Sequence, residues 1–218
     1  MPRTALIEHR PWLLASLAAS ISYFFFRDNP VPGLYLIAWK GAAVALLAIY
    51  AARRARDGDG WLLAGALALA ALGDMALEVN MLAGAALFAL GHLVAIVLFL
   101  RNPRPRRGAS QLLAAMALLV GTPLIATLNA LPDPRWPLAA GYAASVGAMA
   151  AAAWASRFPR YRVGIGAVLF VVSDLLIFAR EGGQVPEQVS WWLVWPLYYG
   201  GQFLIATGVV AALHRGRA

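Results

Sequence analysis

Among its 218 residues the chain has no cysteine, only ten acidic residues and three histidines. Each shortage excludes something. Without cysteine there is no disulfide scaffold, no thiolate nucleophile and no Cys-ligated metal. Charged residues make up 13% of the chain, against about 25% in an ordinary soluble domain, so too few are present to cover a water-facing surface. What remains is apolar: 61% of residues are hydrophobic and the mean hydropathy is +0.68. A net charge of +8 and a pI near 10.6 would elsewhere suggest nucleic acid. Here the basic residues come in short bursts between apolar runs long enough to cross a bilayer, the pattern of a polytopic membrane protein with no nucleic-acid partner.

The runs cover approximately residues 11–26, 33–52, 61–79, 83–100, 109–128, 137–156, 163–179 and 190–213. We read residues 1–218 as a single integral-membrane domain, all-α, with eight transmembrane helices. The first run follows Arg3 and Arg10, and Ala18-Ala19-Ser20 resembles a signal-peptide cleavage site. The apolar stretch continues through Tyr23–Phe26, however, which favours a retained helix.

Charge sets the orientation. Arg53, Arg54 and Arg56, then Arg101, Arg104, Arg106 and Arg107, then Arg157, Arg160 and Arg162 fall in alternate connections. With Arg3, Arg10, Arg215 and Arg217 at the termini they place 14 arginines on one side, against Arg27, Arg135 and Arg180 on the other. By the positive-inside rule both termini are cytoplasmic, and the expected location is a cell membrane of the bacterial inner-membrane type.

An ionisable residue at bilayer depth is costly and marks a candidate site. The candidates are Lys40 in the second run, Asp74 and Glu78 in the third, His92 in the fourth and Asp174 in the seventh. Asp74 lies 13 residues beyond Trp61, and Asp174 lies 12 beyond Arg162. At 1.5 Å per residue both carboxylates sit roughly 18–20 Å from the cytoplasmic edge. Lys40 and His92 enter from the other side and reach a similar layer, while Glu78 falls at the outer edge. Tyr198, Tyr199 and Gln202 share one face of the last helix, and Ser22, Tyr23, Tyr142 and Ser145 join the same band. Each hydroxyl has a plain alternative as an interhelical hydrogen bond, the aspartates as an ion pair with Lys40, and Glu78 as a solvated interfacial residue. Leu72-Gly73-Asp74 echoes Val172-Ser173-Asp174, and Gly91-His92-Leu93 echoes Gly201-Gln202-Phe203. A parallel four-helix repeat is therefore expected, with the aspartates at equivalent places.

Gly73-Asp74, Gly91-His92, Ser173-Asp174 and Tyr198-Tyr199-x-x-Gln202-x-Leu204-Ile205-Ala206, in that order across eight spans, resemble the YhhN-like lysoplasmalogenase family. The resemblance runs from about residue 11 to 213. It implies a membrane hydrolase that cuts the vinyl ether of a lysoplasmalogen, an alkenyl lysophospholipid held in the bilayer among membrane lipids. The products are a fatty aldehyde and a glycerophospho-alcohol. Depth and chemistry together make Asp74, Asp174 and His92 the catalytic candidates, with Lys40, Tyr198, Tyr199, Gln202, Glu78, Tyr23 and Ser173 toward the substrate. Vinyl ether hydrolysis protonates the β-carbon and leaves an oxocarbenium ion for water to capture, which suits a carboxylic acid and a carboxylate. No cofactor and no metal are expected, although Asp74, Asp174 and His92 also admit a metal-dependent hydrolase. A proton-coupled carrier would use the same charged layer as a relay. A Schiff base on Lys40 is a poor fit.

Overall fold

A computed structural model describes residues 3–106, 108–131 and 133–215, with side chains from Pro11 onward. Arg107 and Arg217 lie outside the described residues, as do the side chains of Arg3 and Arg10. Among the described residues the chain is helical throughout, with one isolated β-bridge between Pro103 and Ser156. We number the helices α1 (Arg3–Phe26), α2 (Gly33–Arg54), α3 (Gly58–Leu77), α4 (Met81–Leu100), α5 (Ala109–Ala130), α6 (Trp136–Ala155), α7 (Arg160–Glu181) and α8 (Glu187–Arg215). Seven of them, α2 to α8, are long and apolar enough to cross a membrane, and the apolar part of α1, Pro11–Phe26, is shorter. This is a multi-pass membrane protein. Large apolar side chains such as Phe25, Leu90, Leu113, Leu124 and Leu138 point outward, an exposure that lipid accepts and water would not.

Local chemistry fixes the helix ends. The Asp57 carboxylate accepts from the Gly60 N–H at 2.8 Å and caps α3, and Asn80 Oδ1 accepts from the Ala83 N–H at 2.9 Å and caps α4. Pro32, Pro159 and Pro186 stand just before α2, α7 and α8, and Pro137 occupies the first turn of α6, where the missing N–H has no partner to lose. Inside α5 the residues Ala117–Gly121 widen into a π-turn immediately ahead of Pro123. The proline can neither donate to the preceding turn nor fit an α-ladder there, so the ladder is re-registered. Between α7 and α8, Gly183 turns the chain with φ 71°, a conformation open to glycine.

The chain divides into two compact units, Met1–Val94 and Ala95–Ala218. In the first, α2 packs on α1 and on α3. Ser16 Oγ donates to the Ala43 carbonyl at 2.5 Å, and Trp39 Nε1 donates to Ser22 Oγ at 3.0 Å. In the second, α7 packs on α5, α6 and α8. Two of its loops are stapled together: Arg104 donates to the carbonyls of Ser156 and Phe158, and Arg157 Nε donates to Asn102 Oδ1 at 2.7 Å.

Candidate functional site

In the first unit, Asp74 lies three residues before the end of α3 and is 2% exposed. One turn on, Glu78 caps the same helix and accepts from Lys40 Nζ of α2 at 2.6 Å. Lys40 is 15% exposed and Glu78 is 41% exposed, so the pair straddles the edge of the packed helices. Tyr23 of α1 is buried within electrostatic reach of Glu78 and Asp74. Lys40, Glu78, Asp74 and Tyr23 thus gather at one end of three helices.

Glycines set how α4 meets α3. A Cβ on Gly91 would lie 3.2 Å from the Ala66 carbonyl oxygen, a Cβ on Gly73 would lie 2.8 Å from the Phe88 ring, and one on Gly84 would lie 2.6 Å from Leu77. In this antiparallel register the Asp74 and His92 backbones differ in level by about five residues, or roughly 7–8 Å. Their Cα–Cβ bonds tilt toward each other's level, which narrows that gap. His92 is buried, with its ring 6.5 Å from that of Phe88.

In the second unit Asp174 of α7 is 6% exposed. The Tyr142 hydroxyl of α6 donates to Asp174 Oδ2 at 2.9 Å, and the Tyr142 ring meets Phe178 edge-on at 6.1 Å. Ser173 Oγ donates to the Val194 carbonyl of α8 at 3.1 Å, two residues before Pro196, which lies inside that helix. Tyr198, Tyr199 and Gln202 are buried on α8. Tyr198 packs edge-on against Phe170 at 5.1 Å, and Tyr199 stacks on Trp195 at 6.3 Å.

The α7–α8 crossing repeats two contacts of the α3–α4 crossing. A Cβ on Gly201 would lie 2.5 Å from the Gly166 carbonyl oxygen and 3.1 Å from the Phe170 nitrogen. A Cβ on Gly91 would meet the Ala66 carbonyl oxygen and, at 3.8 Å, the Ala70 nitrogen. Gln202 follows Gly201 as His92 follows Gly91.

The ten candidate side chains therefore fall into two groups. Lys40 bonds Glu78, where the sequence left a partner among the aspartates open. The Tyr142–Asp174 bond was not foreseen: Tyr142 stood out only as one polar residue in the band, and nothing in a single sequence pairs two helices. The Asn102–Arg157 staple was also missed, behind an arginine pattern that signalled topology alone. Among the described residues no three His, Cys, Asp or Glu side chains converge to hold a metal ion.

Residues 35–209 fit the model of the YhhN family. No curated protein and no solved structure matches the chain.

Proposed function

The chain belongs to the YhhN family, and on that premise we propose that it is a lysoplasmalogenase-type hydrolase acting on the vinyl ether of an alkenyl lysophospholipid. The family is associated with that activity. The observation that carries the reading to this chain is the burial of Asp74 and Asp174, at 2% and 6% exposure, in helix stretches 60–77 and 163–179 made otherwise of apolar and small residues. Such carboxylates cost stability and are kept for chemistry.

In the proposed reaction a carboxylic acid transfers its proton to the β-carbon of the vinyl ether. The π electrons form the new C–H bond, and the positive charge spreads over C1 and the ether oxygen. Water adds to C1 and gives its proton to a carboxylate, leaving a hemiacetal. Collapse of the hemiacetal breaks the bond from C1 to the ether oxygen, moves the hydroxyl proton to the departing oxygen and releases aldehyde and alcohol. Asp74 and Asp174 supply the acid and the carboxylate. In this reading His92, on the facing helix α4, returns a proton to Asp74, and the Lys40–Glu78 pair, Tyr23, Ser173, Tyr198, Tyr199 and Gln202 shape the surroundings of the two carboxylates. Transition-state charge of this kind is what preorganised groups in a water-poor site stabilise best.

The arginine asymmetry supports a topology in which α1 also crosses the bilayer, with both termini cytoplasmic and a parallel repeat of the two halves. The local structure adds to that bias. On the other side Arg135 pairs with Asp133 at 2.8 Å and Arg180 with Glu181 at 2.6 Å, so these cations carry their own countercharge. A reporter fused to the C-terminus should read cytoplasmic. Activity is tested by incubating the purified protein with a 1-alkenyl lysophospholipid and measuring aldehyde, with the 1-acyl lysolipid as control. A carrier would release none.

A further inference from the structure

Resting on the hydrolase reading, we propose that Tyr142 is a positioning residue for Asp174, its hydroxyl holding the carboxylate in place as a proton acceptor. Two observations converge. The first is the pair itself: the Tyr142 hydroxyl donates to Asp174 Oδ2 at 2.9 Å, while the ring is fixed against Phe178 of the same helix at 6.1 Å. A planar donor anchored one turn beyond its acceptor restrains both the rotamer and the tilt of the carboxylate.

The second is the correspondence between the halves. On α2, Lys40 reaches Glu78, four residues after Asp74. On α6, Tyr142 reaches Phe178, four residues after Asp174, and the aspartate as well. Position 142 thus does for α7 what position 40 does for α3, with a neutral donor in place of a cation. The rest of the second half follows suit. Helix α5 has no ionisable residue, α6 has Tyr142 alone, and the middle of α8 has Tyr198 and Tyr199, with Glu187, His214 and Arg215 at its ends. On α7 itself Arg160, Tyr161 and Arg162 stand at the start, and Arg180 and Glu181 at the end. Gln202 holds the place on α8 that His92 holds on α4, one residue after the crossing glycine, and an amide cannot exchange a proton near neutral pH. Asp174 is accordingly the group that takes the proton of the attacking water, and Tyr142 aims it.

The test is Tyr142→Phe, which keeps the ring and removes only the donor. On a 1-alkenyl lysophospholipid we expect kcat to fall about ten- to a hundredfold, the scale of a misaimed catalytic group. KM should stay within about twofold, and the melting temperature in detergent should hold. The infrared carboxylate band that Asp174→Asn removes should shift in Tyr142→Phe. It should shift the opposite way when 3,5-difluorotyrosine, a stronger donor, replaces Tyr142, which covers the case in which Tyr142→Phe folds poorly. Wild-type kcat in Tyr142→Phe, or a lowered melting temperature with kcat retained, overturns the assignment, as does a band indifferent to both changes. If the wild-type protein releases no aldehyde, the hydrolase reading itself has failed. If it does release aldehyde and only the Tyr142 response is missing, the positioning role alone has failed.

Discussion

The helix pair α3–α4 and the helix pair α7–α8 share one backbone solution and differ in chemistry. Gly91 and Gly201 each face the carbonyl of residue 66 or 166 and the nitrogen of residue 70 or 170, so Asp74 and Asp174 each stand eight residues beyond that carbonyl within their own pair. Around that shared frame the first pair has Lys40, Glu78 and His92, whereas the second has Tyr142, Phe178 and Gln202. The lesson is that the close glycine crossing fixes where a carboxylate stands, and the neighbouring helices decide what it can exchange. The first half carries side chains that can exchange protons, Lys40, Glu78 and His92. The other offers fixed hydrogen bonds.

The largest test of that contrast removes the carboxylates. Asp74→Asn and Asp174→Asn should each lower kcat by about two to four orders of magnitude, the usual loss for a general acid or base. Aldehyde release compared with folded yield checks this, since Asn is nearly isosteric and removes a buried charge. Full activity in either variant would break the equivalence of the two halves.

The crossing itself is next. Gly201→Ala should destabilise more than Gly91→Ala, because its added methyl meets a backbone oxygen at 2.5 Å rather than 3.2 Å. Overpacking of this sort costs about 1–3 kcal/mol, readable as a lower melting temperature in detergent. Equal effects would mean that the two crossings are not comparable.

A smaller effect is expected at the Lys40–Glu78 ion pair, where the second half has the neutral Tyr142 and Phe178 instead. Glu78→Gln should lower kcat by less than about tenfold, well short of the general-acid range, and Lys40→Met should act alike. The double variant should be no worse than either single one, because removing both partners leaves no stranded charge. A loss as deep as that of Asp74→Asn would move Glu78 into the chemistry.

Smallest of all is the loop pair of Asp133 and Arg135. Hydrogen bonds from the Arg135 side chain and backbone push the exposed Asp133 carboxyl down to about 2. The pair's contribution is thus complete above the ordinary carboxylate range and fades as pH falls through about 2. Asp133→Asn should leave aldehyde release unchanged and scarcely move the melting temperature, since both partners are solvated.

Much of this frame was legible in the sequence for a physical reason. Charge is so rare in an apolar run that Lys40, Asp74, His92 and Asp174 stand out, and prolines and arginine bursts mark where runs stop. Edges were less legible. Helix α1 begins by Arg3 rather than residue 11, and α8 at Glu187 rather than 190, because polar residues continue a helix beyond the hydrocarbon layer. The third run extends to 79, but α3 ends at Leu77 since Asn80 is already capping α4. Hidden altogether was pairing between helices. The Tyr142–Asp174 and Lys40–Glu78 bonds span 32 and 38 residues, and no periodicity along one chain encodes them.

The central claim is that the carboxylates on this shared frame hydrolyse a vinyl ether. The most direct measurement is aldehyde release from a 1-alkenyl lysophospholipid by purified protein, beside Asp174→Asn and a 1-acyl lysolipid control. The account predicts aldehyde from the alkenyl lipid with wild-type protein, none from the acyl lipid, and a loss of at least about a hundredfold in the variant. Absence of aldehyde from the wild-type protein, or equal release by Asp174→Asn, would contradict it.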